Sequence, residues 1–427
     1  MVKKKAIFPL TKLSDVVSMK SGESITAERI TSEGKFPCFG GNGLRGYTTT
    51  FTHDGSYTLV GRQGALCGNV TFVSGRFYAS EHAIVVTPKK ETDIKFMSYV
   101  LYDMNLNQYS ESSAQPGLSV KKLLELEYPI PQNKEEQTAI AEALSDIDSL
   151  ISSLQKLIEK KKAIKQGAMQ ELLTGKKRLP GFSMEWSQAP FEDLFDFLPT
   201  NAFTRDQMTD TGTIQNVHYG DILTKYGACL DMVKTDVPYL LESVSVRKYS
   251  ESSYVREGDV IIADTAEDST VGKCVELVNV HGKVLSGQHT MLCRPKVTFA
   301  PKFLGYYMNA ECFHNQMLPF ITGIKVSSIS KANISTLVLK YPTLVEEQQA
   351  IAQVFSDMDN EIAQLEKKLA KYQQIKQGMM QELLTGRIRL VDADRKEQPK
   401  TQVLQERQPA HNQHFDDAVM IAGIVNA

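Results

Sequence analysis

Two stretches of the chain repeat apolar residues at alternating spacings of three and four. In the first, Ile140, Ala143, Ile147, Leu150, Leu154 and Leu157 lead on to Ile164 and Ala168, with Lys161 as the interruption. In the second, Ile351, Phe355, Met358, Ile362, Leu365, Leu369, Tyr372 and Met379 obey the same rule, with Lys376 interrupting. Spacing of this kind, held over more than four heptads, predicts a helix with one apolar stripe, the seam of a coiled coil. Burying each large side chain of such a stripe is worth about 1.5–3 kcal/mol before entropy is subtracted. Neither stripe can stay in water at that cost, so the two helices are predicted to pair with each other. The segment 180–345 between them leaves room for the chain to return antiparallel. At about 40 residues and 1.5 Å per residue, each helix is roughly 60 Å long.

The two stretches are also copies. IKQGAMQELLTG (Ile164–Gly175) returns as IKQGMMQELLTG (Ile375–Gly386), and 375 − 164 gives an offset of 211 residues. At that offset, 135–179 and 346–390 agree at 26 of 45 positions without a gap. Duplication on this scale outweighs any short motif. Asn133-x-x-Glu136 and Thr343-x-x-Glu346 have the spacing of capping boxes at the two helix starts. Gly175 and Gly386 stand where a left-handed residue ends a helix, and Lys176, Lys177, Arg178, Arg387 and Arg389 follow at its negative pole. Gly167 and Gly378 lie inside the helices, where glycine costs about 1 kcal/mol relative to alanine. Each marks a close backbone approach between helices, or else is duplication without a role. The residues expected in the helix pair or in subunit docking are Ile147, Leu154, Gly167, Leu172, Met358, Leu365, Gly378 and Leu383.

Outside the helices the period drops to two, with frequent Gly, Asn and Asp turns, which predicts mainly β structure. Fainter echoes continue the duplication. PLTKLSDVVSM (Pro9–Met19) parallels PFEDLFDFLPT (Pro190–Thr200), SEHAIVVTP (Ser80–Pro88) parallels GQHTMLCRP (Gly287–Pro295), and GLSV (Gly117–Val120) parallels GIKV (Gly323–Val326). The middles of the two globular segments show no close match. The expected fold is therefore α+β: two β-rich domains, 1–134 and 180–345, joined by helices at 135–179 and 346–390 that pack as an antiparallel coiled coil, with a pseudo-two-fold internal repeat. The segment 391–427 reads as a polar linker followed by a short helix at Phe415–Val425 suited to a partner.

Composition narrows the function. Of 427 residues, 42% are hydrophobic and 23% charged, ordinary for a soluble globular protein. No apolar run approaches the ~20 residues of a membrane span. Six cysteines without a C-x-x-C pair suit reduced thiols in a cytoplasmic protein. The net charge is −2, with 16 Lys+Arg against 12 Asp+Glu in 1–134 and 14 against 18 in 180–345. Any grip on DNA phosphates is thus local, and a partner must supply more basic surface. Gly41-x-Gly43-x-x-Gly46 matches a dinucleotide fingerprint in letters, but the YTTTFTHDG that follows is not a helix start. Lys273 in VGK lacks the preceding glycine and following Ser/Thr of a phosphate loop. His411-x-x-His414 has no third ligand. Methyl-transfer, nucleophile-elbow and metal-binding motifs are absent, so the chain is expected to be no enzyme and to bind no metal or cofactor itself.

The paired Y-P…EEQ-x-A-I-A-x-x-x-S-D-x-D helices ending in QELLTG-x-x-R are the most specific marks. With the GGNG–RQG–EH series and REGDVIIADT…STVGK (Arg256–Lys273), they make the chain resemble the specificity (S) subunit of type I restriction–modification systems over about residues 5–390. That resemblance implies a non-catalytic subunit with two target recognition domains, each reading half of a split site in double-stranded DNA. It implies that the helices dock two methyltransferase subunits and that the assembly recruits restriction/translocase subunits. S-adenosylmethionine, ATP and Mg are then expected on those partners, and no membrane is involved. The alternative is a coiled-coil scaffold whose globular domains bind proteins instead of DNA.

Candidate contacts follow from side-chain chemistry. Asn42, Arg45 and Tyr47 stand on the glycine-rich turn. Arg62 suits guanine O6/N7 and Gln63 suits adenine N6/N7. Thr265, Ser269 and Lys273 form a polar loop in the second half, and Lys121, Lys325 and Ser327 precede the final strands, where they suit phosphate contacts. For all of these a plain solvated surface role stays open. His82 recurs as His289, next to Gln288, and a structural hydrogen bond explains the pair as well as DNA contact does.

Overall fold

A computed structural model describes residues 8–64, 66–89, 91–110, 117–323 and 325–391. Phe415–Val425, His411 and His414 lie outside the described residues, as does the rest of 392–427. The described chain divides into two compact units, one formed by residues up to 156 together with 366–391, the other by 157–365. The two long helices, Lys134–Leu172 and Val345–Leu383, run 39 residues each and contribute one half to each unit.

Within each unit the helix halves are antiparallel. In the first unit Asp148 meets Lys376 at 2.6 Å, early residue against late. In the second, Lys165 meets Asp359 at 2.5 Å and Lys161 meets Glu361 at 2.7 Å. Lys161 and Lys376, the two breaks in the apolar pattern, are therefore ion-paired across the helix pair, their stems half-buried along it. The seam also differs from its sequence reading in one turn: Leu157 is 38% exposed, and Ile158 is buried beside Leu154 instead. The close approach expected at Gly167 and Gly378 is corrected outright. A Cβ built at either position meets nothing within 4 Å, so both glycines face open space.

The helix ends follow from local sequence, with one correction. Gly175 and Gly386 take φ of 71° and 73°, and the chain turns back on each helix end: Gly175 N donates to Leu172 O (3.4 Å) and Lys177 N to Glu171 O (3.1 Å), as Gly386 N does to Leu383 O (3.2 Å) and Ile388 N to Glu382 O (3.2 Å). The reciprocal capping boxes do not form: Asn133 Oδ1 accepts from Glu135 N at 2.8 Å, whereas the Thr343 hydroxyl donates to Glu185 O. The second glutamate of each copy has a different task. Glu347, 1% exposed, accepts Arg178 Nε and Nη2 at 2.5 and 2.6 Å, and Trp186 Nε1 at 3.4 Å. Glu136, fully buried, accepts from the main-chain amides of Leu390 and Val391 at 3.0 Å each and from Arg389 at 3.3 Å. Thus in each unit the start of one long helix clamps the segment that follows the end of the other.

The first unit carries a six-stranded sheet in the order Val17–Ser21, Ala83–Pro88, His53–Gly61, Val70–Ala79, Phe36–Gly40, Gly43–Thr48. The second carries a five-stranded one: Phe195–Leu198, Thr290–Pro295, Val260–Ala263, Cys274–Val278, Cys229–Asp231. The first four strands pair antiparallel in both, and the fifth is parallel in both. The second unit adds a four-stranded sheet built from Met208–Thr209, Tyr239–Leu240, Ile214–Val217 and Lys283–Ser286.

In each unit the helix that packs on the sheet, Ile94–Asp103 or Phe303–Met308, is tied to the helix pair by the same side chains. Tyr99 donates to Asp148 and Tyr306 to Asp359, both at 2.9 Å, while Lys95 reaches Ser145 and Lys302 reaches Ser356. This is the α+β, doubled architecture that the periodicity predicts. One parallel shifts, however. Leu13 N donates to Leu126 O and Phe191 N to Leu337 O, so Leu13 answers Phe191, three residues from the ungapped match.

Candidate nucleic-acid interface

At one end of each sheet three segments are stitched by the same main-chain bonds. In the first unit Arg62 N donates to His82 O (2.9 Å), Leu118 N donates to Arg62 O (2.9 Å), and Gln63 bridges Gly117. In the second, Asp264 N donates to His289 O (3.1 Å), Ile329 N donates to Asp264 O (3.0 Å), and Thr265 pairs with Ser328. Main-chain bonds do not depend on side-chain identity, so the rim is held while its side chains differ. The matching bonds make Arg62 the counterpart of Asp264, Gln63 of Thr265 and Leu118 of Ile329. Gly117 therefore answers Ser328, and the sequence parallel of GLSV with GIKV is displaced by five residues.

The rim of the first unit gathers most of its predicted contacts. His82 Nδ1 lies 3.2 Å from Gln63 Oε1, with the imidazole side chain 43% exposed. A Cβ at Gly61 would sit 2.1 Å from Gly41 O, and one at Gly41 would sit 3.0 Å from Gln63 O. Only glycines permit this approach, and it lays the turn bearing Asn42 against the rim. Asn42 and Arg45 are exposed, whereas Tyr47 sits half-buried on its strand, where its main chain pairs with Thr31. A cavity of about 710 Å³ opens beside the rim, bordered by Lys20, Arg62, Gln63, Ser119 and Lys121. Lys20 escaped the sequence reading because it sits on a strand whose neighbours carry no turn or motif.

The second rim brings together Thr265, His289 and Ser327. His289 Nδ1 lies 3.4 Å from Thr265 Oγ1 and 3.8 Å from Asp264 Oδ1, with its side chain 44% exposed and φ at 52°. Ser327 pairs with Ala266 on the adjoining strand. Both histidines thus make a local contact and still present an edge to solvent. Gln288 is half-buried beside His289, and Ser269 and Lys325 are exposed on separate loops. Lys273 is not a free phosphate ligand: its Nζ donates to Leu223 O at 3.0 Å, and desolvation by burial pulls its pKa down.

Sequence reasoning missed Tyr219, whose ring stands edge-on to His289 at 5.2 Å. It also missed the group behind that ring, where Arg205 donates to the buried Asp221 at 2.7 Å and faces His218 Nδ1 at 3.4 Å. Burial first, and the Arg205 charge second, hold His218 below the usual histidine pKa. No spacing pattern marks these residues; only the fold collects them. Among the described residues no group of three or more His, Cys, Asp or Glu is placed to hold a metal ion, and no helix is long and apolar enough to cross a membrane.

Comparison with known proteins bears on this pair of rims. The type I restriction modification DNA specificity domain matches residues 9–166 and again 184–377. The type I restriction enzyme EcoprrI specificity subunit of Escherichia coli is 46% identical over 146 residues, 33% of this chain and 36% of that protein. The matched part therefore spans about a third of that relative's length. The MjaVIII specificity subunit of Methanocaldococcus jannaschii is 24% identical over 323 residues, covering 68% of this chain and 70% of that one. The crystal structure of a type I restriction–modification S subunit from M. genitalium shares the fold, with a TM-score of 0.62 at 17% identity over 90% of this chain and 97% of that one. With the specificity domain matched twice and the same frame built twice, the chain belongs to the type I restriction–modification DNA specificity family.

Proposed function

We propose that this chain recognises a bipartite double-stranded DNA site, one half-site at each rim, and does no chemistry itself. One observation carries the reading: a single main-chain frame occurs in both units while most of the side chains it presents differ. Two unlike readers on matched supports are what an asymmetric split sequence requires. Bases are discriminated by side-chain donors and acceptors, and the backbone only positions them.

In this reading two methyltransferase subunits dock on the helix pair, and restriction/translocase subunits join that assembly in the cytoplasm. S-adenosylmethionine, ATP and Mg belong to those partners, which also supply basic surface that a chain of net charge −2 lacks. The test is competition between target and scrambled duplexes for the complex with methyltransferase, followed by mapping of methylated adenines in a host expressing all subunits. A split methylated motif and preferential retention of that motif are expected. Equal retention of every duplex, with the globular units capturing only proteins, would return the chain to the scaffold reading.

A further inference from the structure

The two rims differ in charge, and at three equivalent positions a cation of the first is missing from the second. Lys20 lies opposite Val85 in the first sheet, and Leu198 lies opposite Leu292 in the second. Val85 and Leu292 are themselves equivalent, being two residues beyond Ala83 and Thr290, which pair with Gly61 and Ala263. Hence Lys20 answers Leu198. Arg62 answers Asp264 through the main-chain bonds of the rims. Counting from the Leu118/Ile329 pair, Ser119 answers Ser330 and Lys121 answers Ala332. The first unit thus presents Lys20, Arg62 and Lys121 where the second presents Leu198, Asp264 and Ala332; with Lys331 in the place of Val120, the cavity lining is formally +3 by residue type against 0 at the equivalent positions of the second unit.

The three cations border one cavity of about 710 Å³, together with Ser21, Gln63 and Ser119, and no carboxylate is among its described lining residues. Lys20 and Lys121 are exposed and Arg62 is half-buried, and among the described residues none of the three side chains makes an ion pair. Unpaired like charges around one concavity repel each other, and an anion seated there relieves that repulsion. Elsewhere in the unit the exposed Arg76 is matched by Asp54 at 2.9 Å and the Lys376 ammonium by Asp148. The cavity also adjoins the rim that carries Gln63 and His82, so a duplex read by those side chains brings its backbone past it.

We infer that Lys20, Arg62 and Lys121 clamp a phosphodiester of the DNA backbone, and that this clamp belongs to the first unit alone. The inference rests on the proposed DNA-reading role and assigns most of the salt-sensitive affinity of this chain to one half-site. The first unit anchors the duplex electrostatically. The second, with Asp264 at the matching place, contributes discrimination with little phosphate neutralisation.

The test uses the full chain assembled with its methyltransferase subunits and a duplex carrying its methylated motif. Removing one cation from a bound phosphate reduces the slope of log K against log salt by about 0.9. Lys20→Gln and Lys121→Gln are each expected to flatten the slope by about that amount and to leave the methylated motif unchanged. Lys20→Arg is expected to keep the full slope, and Ala332→Lys to steepen it. A wild-type complex that discriminates its motif while both Gln variants keep the full slope would overturn the clamp and leave the DNA-reading role standing. A wild-type complex that does not discriminate duplexes at all overturns both. Competition by inorganic phosphate at matched ionic strength, abolished in the Gln variants, would reassign the cavity to a small free anion and likewise overturn the clamp.

Discussion

Placed position against position, the two rims keep their main-chain bonds and exchange their side chains. His82 and His289 are common to both, but Gln63 stands where Thr265 does, Glu81 where Gln288 does, and Arg62 where Asp264 does. The long helices behave in the opposite way. There the side chains repeat, as Glu136 and Glu347 or Asp148 and Asp359 do, because each makes a specific contact to the partner helix or to the segment following it. The difference teaches where this fold tolerates change. A surface held by backbone hydrogen bonds can acquire new recognition chemistry without loss of stability, whereas a junction held by side-chain hydrogen bonds and ion pairs cannot.

The largest effect should come from breaking the equality of the two helices. Each has 39 residues, and the start of each is clamped to the segment after the end of the other. Seven residues inserted in the middle of one helix add about 10 Å to it alone. One unit must then lose the register of its ion pairs, or the insert must loop out. Methylation by the assembled complex is expected to be abolished. Matched insertions in both helices keep both registers and are expected to lengthen the permitted spacer by about 3 base pairs. A spacer unchanged after matched insertion would mean that helix length does not set half-site spacing.

A smaller effect separates the two clamps. Glu347 binds a guanidinium through two bonds, and Arg178 is only 24% exposed, so Glu347→Ala leaves a poorly hydrated charge behind. Loss of one partner from a buried pair costs about 3–5 kcal/mol. Glu136→Ala instead releases two amides and an Arg389 whose side chain is 39% exposed. Water reaches those groups more easily, so a loss of about 1–3 kcal/mol is expected. Thermal unfolding of the two variants should rank them in that order; equal midpoints would show that the clamps are energetically alike.

Much of this was legible in the chain. The 3-4 apolar spacing and the 211-residue repeat gave both helices, their antiparallel pairing and their glycine ends, because those depend on local periodicity and on φ. The clamps were not legible. Arg178 and Arg389 sit where helix-dipole arguments place basic residues, and nothing local shows that their partners lie 169 and 253 residues away, at Glu347 and Glu136. The equivalence of the rims was hidden for a related reason: strand order and register are long-range properties, so Arg62 and Asp264 share a place without sharing a pattern. Lys273 misled because its charge was visible and its bond to the Leu223 carbonyl was not.

The smallest expected effect compares one position beneath the two helices that pack on the sheets. Register places Phe72 of the first unit, paired with Thr58, where the second has Glu276, paired with Val260. Phe72 cannot titrate. Glu276 is 1% exposed, and its carboxylate accepts the amides of Lys302 and Gly305 at 2.5 and 2.7 Å, capping the Phe303–Met308 helix. Burial pushes its pKa up from 4.5 to about 7, and those amide bonds only partly offset the shift. Between pH 4.5 and about 7 the folded second unit therefore holds a proton that the unfolded chain has released. Its stability should fall as pH rises through that window and level off above it, with a total change of at most about 3 kcal/mol. Trp186, the chain's single tryptophan, lies in the second unit and reports its unfolding by fluorescence. The wild-type midpoint is expected to be higher near pH 5.5 than near pH 8, and Glu276→Gln should remove that part of the slope. A Gln variant with the wild-type pH profile would show that Glu276 is ionised in the folded protein, its two amide bonds outweighing the cost of burial.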